Sequence, residues 1–454
     1  MFFAQNELRE VLGGSFIGKF NSAVITGVST DTRKINPGDV FFAIEGESFD
    51  GHVFAEKAIE KGAVCVIARK KIKGDFPVIY VKDTLKAYGD LAKYYKSKFA
   101  VRTAAVTGSV GKTSTKEFVA HLAGLTGKTL KNEANFNNEI GLPYTIFNLD
   151  DTYKNCIVEM GMRGKGQIDY LCRIAKPDIG IISNISVCHI ELLGSRDNIA
   201  DAKCEILDSL PADGYGIVNG DSEYLPLMKE RCKCRLITFG EKKINDIYVK
   251  RIAAGKDGFD YDLRTPWGDI DSIFIPGTVY HNVTNSMPAV ATAKILGAEN
   301  KSIREKIAEF RNIEKRFNII DCGDYTVIDD SYNASPLAVE GALKTLKLFD
   351  CRRKIACLGE MYELGGEEAD FHRSVGKVAK ECGIDLLVCV GPLAEYIGEG
   401  FADEEKTVIC KDSREAADYM KNNTKKGDTI LVKGSHGVRM EKITEKLVSK
   451  TDNI

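Results

Sequence analysis

The sequence predicts an α/β chain of three domains, and three observations carry that reading. A strand, a glycine-rich turn and a helix follow one another between residues 104 and 122. From about residue 315 onward, short apolar runs alternate with helical patterns, and each run ends in a glycine or polar turn, as in a doubly wound sheet. The length of 454 residues exceeds what one ordinary core accommodates and suits about three domains. The expected units are a small α/β domain over 1–98, a central domain over 99–314 and a C-terminal Rossmann-like doubly wound domain over 315–454. The central one should have a mainly parallel P-loop sheet with antiparallel strands attached.

Composition excludes some function classes. Lys and Arg number 63 against 65 Asp and Glu, a formal net charge of −2, so nucleic acid is not a favoured partner. The start, Met1 to Glu7, reaches polar and charged residues too early for a signal peptide. No apolar run approaches the ~18 residues of a membrane span, so no membrane insertion is expected. The 13 cysteines are scattered, and the tight pair Cys232 and Cys234 has no matching second pair for zinc. They read as reduced, mostly buried small side chains of a cytoplasmic protein.

In the first unit, the hydroxyl-rich turn Ser29-Thr30-Asp31-Thr32-Arg33 precedes a Pro37-Gly38-Asp39 turn and the strand Val40 to Ile44. A second polar loop, with Asp50, Gly51 and His52, precedes a helix and the strand Ala63 to Ile67. Read from residues alone, both loops are surface turns. Leu85, Tyr88, Leu91, Ala92, Tyr95 and Phe99 then recur at helical spacing, so a helix carries the chain toward the second unit.

The central unit opens on the apolar run Ala104-Ala105-Val106 and the turn Thr107-Gly108-Ser109-Val110-Gly111-Lys112-Thr113-Ser114. Inward-pointing backbone amides and a helix N-terminus suit such a turn to a polyphosphate. Lys112 is placed to reach the β- and γ-phosphates and the Thr113 hydroxyl to ligate Mg²⁺. Val106 stands where the longer phosphate-binding pattern has its first glycine, leaving the core G-x-x-G-K-T-S. Next, Asn132, Asn135, Asn137 and Asn138 crowd one short stretch, which suits a loop bonding a polar ligand, or a plain loop. The strand Cys156-Ile157-Val158 delivers Glu159 to the C-terminal end of the sheet, where a Mg²⁺-nucleotide would sit.

His189 follows the strand Ile179 to Asn184 and reads equally as a ligand or a structural histidine. Lys203 flanks an apolar helical face and by default is a solvated charge. Period-two alternation from Ile247 to Ile275 predicts antiparallel strands attached to the parallel sheet. His281-Asn282-Val283-Thr284-Asn285 then starts a helix, its polar side chains being either caps or contacts to a base.

In the last unit the strands are expected at Thr326 to Asp329, Lys354 to Gly359, Leu386 to Gly391, Thr407 to Cys410 and Thr429 to Gly434. The turns after three of them hold Asp330 to Pro336, Glu360 to Gly366, and Gly434 to Gly437, and should open on one edge of the sheet. No G-x-G-x-x-G occurs there, so a dinucleotide is not expected.

Taken together, these motifs resemble the Mur ligases of bacterial peptidoglycan synthesis across essentially the whole chain. The stretches TGSVGKTS, NEANFNNEIGLP, EMG and HNVTN are similar to the ATPase part shared by the family. STDTRKINPGDVFFAIEG, SFDGH, DDSYNASP, LGEMYELG and LVKGS are similar to the branch that joins D-alanyl-D-alanine to UDP-N-acetylmuramoyl-tripeptide. The resemblance implies ATP as co-substrate, two Mg²⁺ ions and an acyl-phosphate intermediate. Thr107, Gly108, Ser109, Val110, Gly111, Lys112, Thr113 and Ser114 would hold the phosphates, Asn282 and Asn285 the adenine side, and Arg316 and Asp330 would reach ATP from the hinge and the last domain. Thr113, Glu159, His189 and a carbamylated Lys203 would be metal ligands or supports. Lys112, Glu159, His189 and Lys203 form the implied catalytic set.

Ser29, Asp31, Arg33, Asp50, Gly51 and His52 would hold the UDP-sugar. Asn135, Asn137 and Asn138 would line the substrate site, and Asn333, Ser335, Lys433 and Ser435 the peptide side. A cytoplasmic monomer is implied. The family's last motif usually reads K-G-S-R. Here His436 follows Ser435, and Arg439 is the nearest arginine that could substitute. A P-loop ATPase without an amine acceptor, or a sister ligase of the family, is the alternative reading.

Overall fold

In the computed structural model the described residues are 3–18, 24–46, 49–133, 135–186, 190–254, 258–277, 280–311 and 317–449. They build three principal sheets in chain order, and a two-stranded ribbon in which Phe3–Ala4 pairs antiparallel with Val24–Ile25. The first sheet has five strands, ordered Ser15–Ile17, Val78–Tyr80, Cys65–Ala68, Asp39–Phe42 and Gly27–Ser29. All its pairings are parallel except the one made by Ser15–Ile17. Asp39–Phe42 and Cys65–Ala68 are buried at every position, as central parallel strands covered on both faces must be. The helix Thr84–Lys96 starts at Asp83, whose carboxylate accepts from Lys86 N. It buries Tyr88, Leu91, Ala92 and Tyr95 in one core with Phe42 and Phe147, so the first sheet packs onto the central one through this helix.

The central sheet has nine strands, ordered Ile270–Pro276, Gly258–Arg264, Ile247–Ala254, Arg235–Gly240, Tyr215–Asn219, Ile179–Ile182, Arg102–Thr107, Asn155–Glu159 and Thr129–Lys131. From Thr129–Lys131 through to Ile247–Ala254 the pairing is parallel, and the last two pairings are antiparallel. The alternation in the sequence thus marks a meander added to the parallel edge. The edge strand Thr129–Lys131 was not foreseen, because three residues carry too little period to be read. Register positions the chemistry: Glu159 pairs with Val106, and Ile182 with Thr107. The chain segments leaving these strands therefore meet at one point on the sheet's C-terminal edge.

The third sheet orders Asn318–Asp321, Thr326–Asp330, Asp428–Lys433, Arg353–Gly359, Leu386–Val390 and Thr407–Cys410. The first pair is an antiparallel hairpin and the others are parallel. Asp330 and Leu358 both pair with Lys433, so the turns that follow open on one edge, as their sequence suggests. The cysteines among the described residues are all free, and most are buried.

Candidate functional site

The glycine-rich turn is held from behind by the residues that follow the neighbouring strand. Ser183 Oγ donates to Val110 O at 2.8 Å, and Asn184 Oδ1 accepts from Val110 N at 2.9 Å. Ser109 N donates to Asn184 O at 3.0 Å, and the Ser109 hydroxyl bonds both the carbonyl and the amide of Ser186. Gly108 is required there, since a Cβ would collide with Ser183 Oγ. The amides of this turn are therefore divided between the protein and the cleft. The amides of Ser109 and Val110 bond the protein, which leaves those of Gly108, Gly111, Lys112 and Thr113, the last two where the helix Lys112–Ala123 begins. Gly111 has φ +79°, a left-handed conformation that suits glycine. Thr107 is buried and donates from Oγ1 to Met160 O, so its side chain serves the sheet.

Lys112 Nζ curls back onto the turn, donating to Gly108 O at 2.8 Å and Ser109 O at 3.1 Å. Lys203 Nζ reaches the same Gly108 O at 2.9 Å from the helix Arg196–Asp208, which starts at the Ser195 cap. Lys203 is 1% exposed, so the default reading of a solvated charge fails. Its helix packs beneath the P-loop, and the lysine reaches up from that buried face. His189 and Arg316 lie outside the described residues.

Glu159 is the most carefully held carboxylate of the site. Asn132, itself fully buried, accepts from Glu159 N at 2.9 Å and donates to Glu159 O at 3.1 Å and Phe136 O at 2.9 Å. Lys116 Nζ fixes the other end by donating to Asn132 O at 2.7 Å. Asn137 Nδ2 donates to Glu159 Oε1 at 2.8 Å, while Glu159 Oε2 is buried with no hydrogen-bond partner. The asparagine loop thus bonds mainly the protein. Asn138 Oδ1 accepts from Ile140 N and Gly141 N at the start of the helix Gly141–Ile146, and Asn135 stands exposed on the cleft.

A cleft of about 560 Å³ joins these groups to the turns of the third sheet. Its walls include Lys112, Thr113, Glu159 and Lys203 on one side and Asn333, Ser335, Lys433, Ser435 and His436 on the other. Lys433 is 3% exposed and pairs with Asp330 Oδ2 at 2.7 Å while donating to Asn333 O at 2.9 Å. Ser435 Oγ accepts from Tyr362 N at 3.0 Å, and Tyr362 donates to Glu360 Oε2 at 2.8 Å. Burial and the Glu360 carboxylate push the Tyr362 phenol up to about 12. Ser335 precedes the helix Pro336–Lys347 without a side-chain cap bond. Arg439, at φ +58°, does not line this cleft, whereas His436 does.

A second cavity of about 360 Å³ adjoins the turn at Val110, Gly111 and Ser114. It is lined by Asn282 and Asn285 of the helix Tyr280–Ile295, and by Asp330, Leu337 and Lys433 from the third sheet's side. Thr115 Oγ1 donates to Asn285 Oδ1 at 3.4 Å, so Asn285 sits against the P-loop helix and does not act as a cap.

The first-sheet candidates do not line either cavity. Arg33 is bidentate to Asp31, and those hydrogen bonds hold the Asp31 carboxyl down at about 2. Ser29 Oγ donates to Asp31 O. His52 is buried, with Nδ1 bonded to Asp50 Oδ1 at 2.6 Å and Nε2 accepting from Arg69 N at 3.1 Å. Both ring nitrogens being used, His52 shapes the loop, and Gly51 is needed because a Cβ there would press on Ile44 O at 2.5 Å. Lys34 lies over the Tyr144 ring at 5.6 Å, which sets this loop against the helix that follows the asparagines.

Sequence reasoning missed the clamping by Asn132, the Ser183-Asn184 brace, and Arg163, Gln167 and Tyr362 in the cleft wall. The Ser183-Asn184 brace carried a signal, since polar residues directly after a central apolar strand face the sheet's C-terminal edge.

Three family profiles match the chain in succession: "Mur ligase family, catalytic domain" over residues 24–96, "Mur ligase middle domain" over 106–293, and "Mur ligase, glutamate ligase domain" over 315–436. The chain is 35% identical to the UDP-N-acetylmuramoyl-tripeptide--D-alanyl-D-alanine ligase of Bacillus subtilis, over 95% of this chain and 94% of that one. Its structure is similar to that of MurF from Acinetobacter baumannii, with a TM-score of 0.92 at 28% identity, covering 98% and 99% of the two chains. It is also similar to the MurF ligase of Thermotoga maritima in complex with ADP, with a TM-score of 0.85 at 26% identity, covering 94% and 97%.

Proposed function

The chain belongs to the Mur ligase family, and we propose that it joins D-alanyl-D-alanine to UDP-N-acetylmuramoyl-tripeptide, converting ATP to ADP and phosphate. The observation that carries this reading is the shared cleft, in which the P-loop and Glu159 face the turns bearing Asn333, Lys433 and Ser435. A phosphate site and a second, peptide-sized wall in one space suit a two-substrate ligase better than a simple ATPase.

A carboxylate does not react with an amine until one oxygen becomes a leaving group. In the proposed reaction the terminal carboxylate of the tripeptide attacks the γ-phosphorus, the bond to ADP breaks, and an acyl phosphate forms. The free amine of the dipeptide then attacks the acyl carbon, loses a proton and expels phosphate. Such phosphoryl transfer depends on positioning and on neutralising charge. Lys112 supplies a mobile cation, since its ammonium now rests on main-chain carbonyls that a phosphate outbids. The amides of Gly111, Lys112 and Thr113 supply fixed donors at a helix N-terminus. The acyl phosphate is lost to water unless the cleft closes between the two sheets.

The donor set fits magnesium. Glu159 Oε2 is buried, unpartnered and adjoins the cleft, and the Thr113 side chain lines the same space. A bound Mg²⁺ ion would neutralise phosphate charge during transfer. One ion is proposed at Thr113 and a second at Glu159 and His189, with Lys203 carbamylated by CO₂ so that a buried cation becomes a carboxylate-like support. Its burial and its place on the cleft wall support that reading.

The adenine side is proposed in the second cavity at Asn282 and Asn285, with Asp330 and Arg316 reaching the nucleotide. The UDP-sugar is proposed at Ser29, Asp31, Arg33 and the Asp50-Gly51-His52 turn. Among the described residues no helix is long and apolar enough to cross a membrane. A cytoplasmic monomer is proposed.

The test is phosphate release from ATP with UDP-N-acetylmuramoyl-tripeptide, with and without D-alanyl-D-alanine. Release that requires both, with a product heavier by the dipeptide, is expected. Release with neither substrate would make the chain an ATPase, and use of a free amino acid would make it a sister ligase.

A further inference from the structure

Four cationic side chains of Lys and Arg line the main cleft: Lys112, Arg163, Lys203 and Lys433. Lys112 and Lys203 donate to P-loop carbonyls, and Lys433 is paired with Asp330 and Asn333 O. Arg163 is the one of the four whose charged group makes no hydrogen bond or ion pair among the described residues, yet it stands four residues after Glu159.

The backbone that carries Arg163 is fixed. Arg163 N donates to Gln167 Oε1 at 2.6 Å, and Gly164 N donates to the same atom at 3.1 Å. Glu205, 6% exposed, accepts from Gly166 N at 2.6 Å and Asp169 N at 3.0 Å, and so caps the helix Gln167–Ala175 from a neighbouring helix. Met162, just before the arginine, is buried. A free guanidinium thus hangs from an anchored turn into the space between the two sheets.

A carboxylate drawn into a closing cleft needs a partner, because burying it unpaired costs several kcal/mol. The dipeptide keeps its terminal carboxylate throughout the proposed reaction, and so does the tripeptide any carboxylate other than the one activated. The cleft's own Glu139, Glu159 and Glu363 repel such a group. We infer that Arg163 binds a non-reacting carboxylate of the peptide substrates, through the planar fork that guanidinium offers to two oxygens. The inference rests on the ligase reading above and adds a specificity-determining residue to it.

The experiment measures KM for ATP, tripeptide and dipeptide in the wild-type protein, Arg163→Gln and Arg163→Lys, with D-alanyl-D-alaninamide as a probe lacking the terminal charge. Arg163→Gln should raise the KM of one peptide substrate about ten- to hundredfold and leave the KM for ATP unchanged. Arg163→Lys should fall between, keeping the charge without the fork. If the dipeptide is the partner, the wild-type protein discriminates against the amide and Arg163→Gln does not. If the tripeptide is the partner, its KM rises and discrimination against the amide is the same in both proteins. Peptide KM values within about twofold of wild type, or an equal rise for ATP, overturn the inference. Wild-type protein that turns over neither peptide overturns the ligase reading itself, a distinct result.

Discussion

Lys112 and Lys203 donate to the same oxygen, the Gly108 carbonyl, at 2.8 and 2.9 Å. They come from two helices on opposite sides of the turn, so one main-chain acceptor ties down both. The exposures differ, however. Lys203 is sealed at 1%, while Lys112 is half-buried and has a second carbonyl to rest on. A γ-phosphate therefore competes for Lys112 first.

Replacing Lys112 by Ala should leave the fold intact, because its two bonds are to carbonyls at an accessible rim, and should lower kcat by about a hundredfold or more. Steady-state phosphate release with both peptide substrates checks this. Near-normal turnover would remove Lys112 from the mechanism.

Glu159→Gln keeps an oxygen for the Asn137 Nδ2 bond but loses the second carboxylate oxygen, the one without a partner. Thermal stability should change little or rise slightly, and kcat at low millimolar magnesium should fall about a hundredfold. Titrating magnesium in both proteins separates the two effects. Equal magnesium dependence would argue against a metal at this oxygen.

Asn132→Ala removes hydrogen bonds to Glu159 N, Glu159 O and Phe136 O in a fully buried position. The cost should be about 2–4 kcal/mol in urea unfolding, above that of an exposed asparagine, since buried groups are left unpaired. A change below about 1 kcal/mol would show that the loop re-forms its bonds elsewhere.

His372 gives the third sheet's module a pH dependence. Its Nδ1 bonds Glu368 O at 2.6 Å, and its Nε2 accepts from Met361 N at 2.9 Å, an arrangement open only to the neutral ring. Burial holds its pKa below the ordinary 6.5. As pH falls below about 6.5 the unfolded chain takes up this proton before the folded one, so stability is full above that value and falls toward the lowered folded pKa. His121, also shifted down by burial, acts in the same direction. Urea unfolding at pH 7.5 and 5.5 should show this loss, and His372→Gln should reduce it. An unchanged pH slope in that variant would assign the loss to other groups.

Much of this arrangement was legible because it is local. The glycine-rich turn, the strand that ends at Glu159, and the alternation from Ile247 to Ile275 are written in short-range pattern, and each reappears in the register of the central sheet. What stayed hidden depends on contacts across long sequence separation. Lys203 flanks an apolar stripe like many surface lysines, and only the packing of its helix under a turn 95 residues earlier makes it a buried cation. The asparagine loop looked ligand-facing by composition, yet Asn132 and Asn137 serve Glu159, 27 and 22 residues on. Thr129–Lys131 and Asn318–Asp321 were too short to show a period.

Lys433 is a wall of both cavities at once, and its ion pair with Asp330 forms part of the partition between them. Val110, Gly111 and Ala338 also line both cavities, but for inhibitor design the Lys433–Asp330 pair is the part of the partition that side chains make. A compound that carries its own carboxylate to replace that of Asp330 can run from one chamber to the other. Resistance by substitution at Lys433 would then be self-limiting, because it leaves Asp330 without its cation.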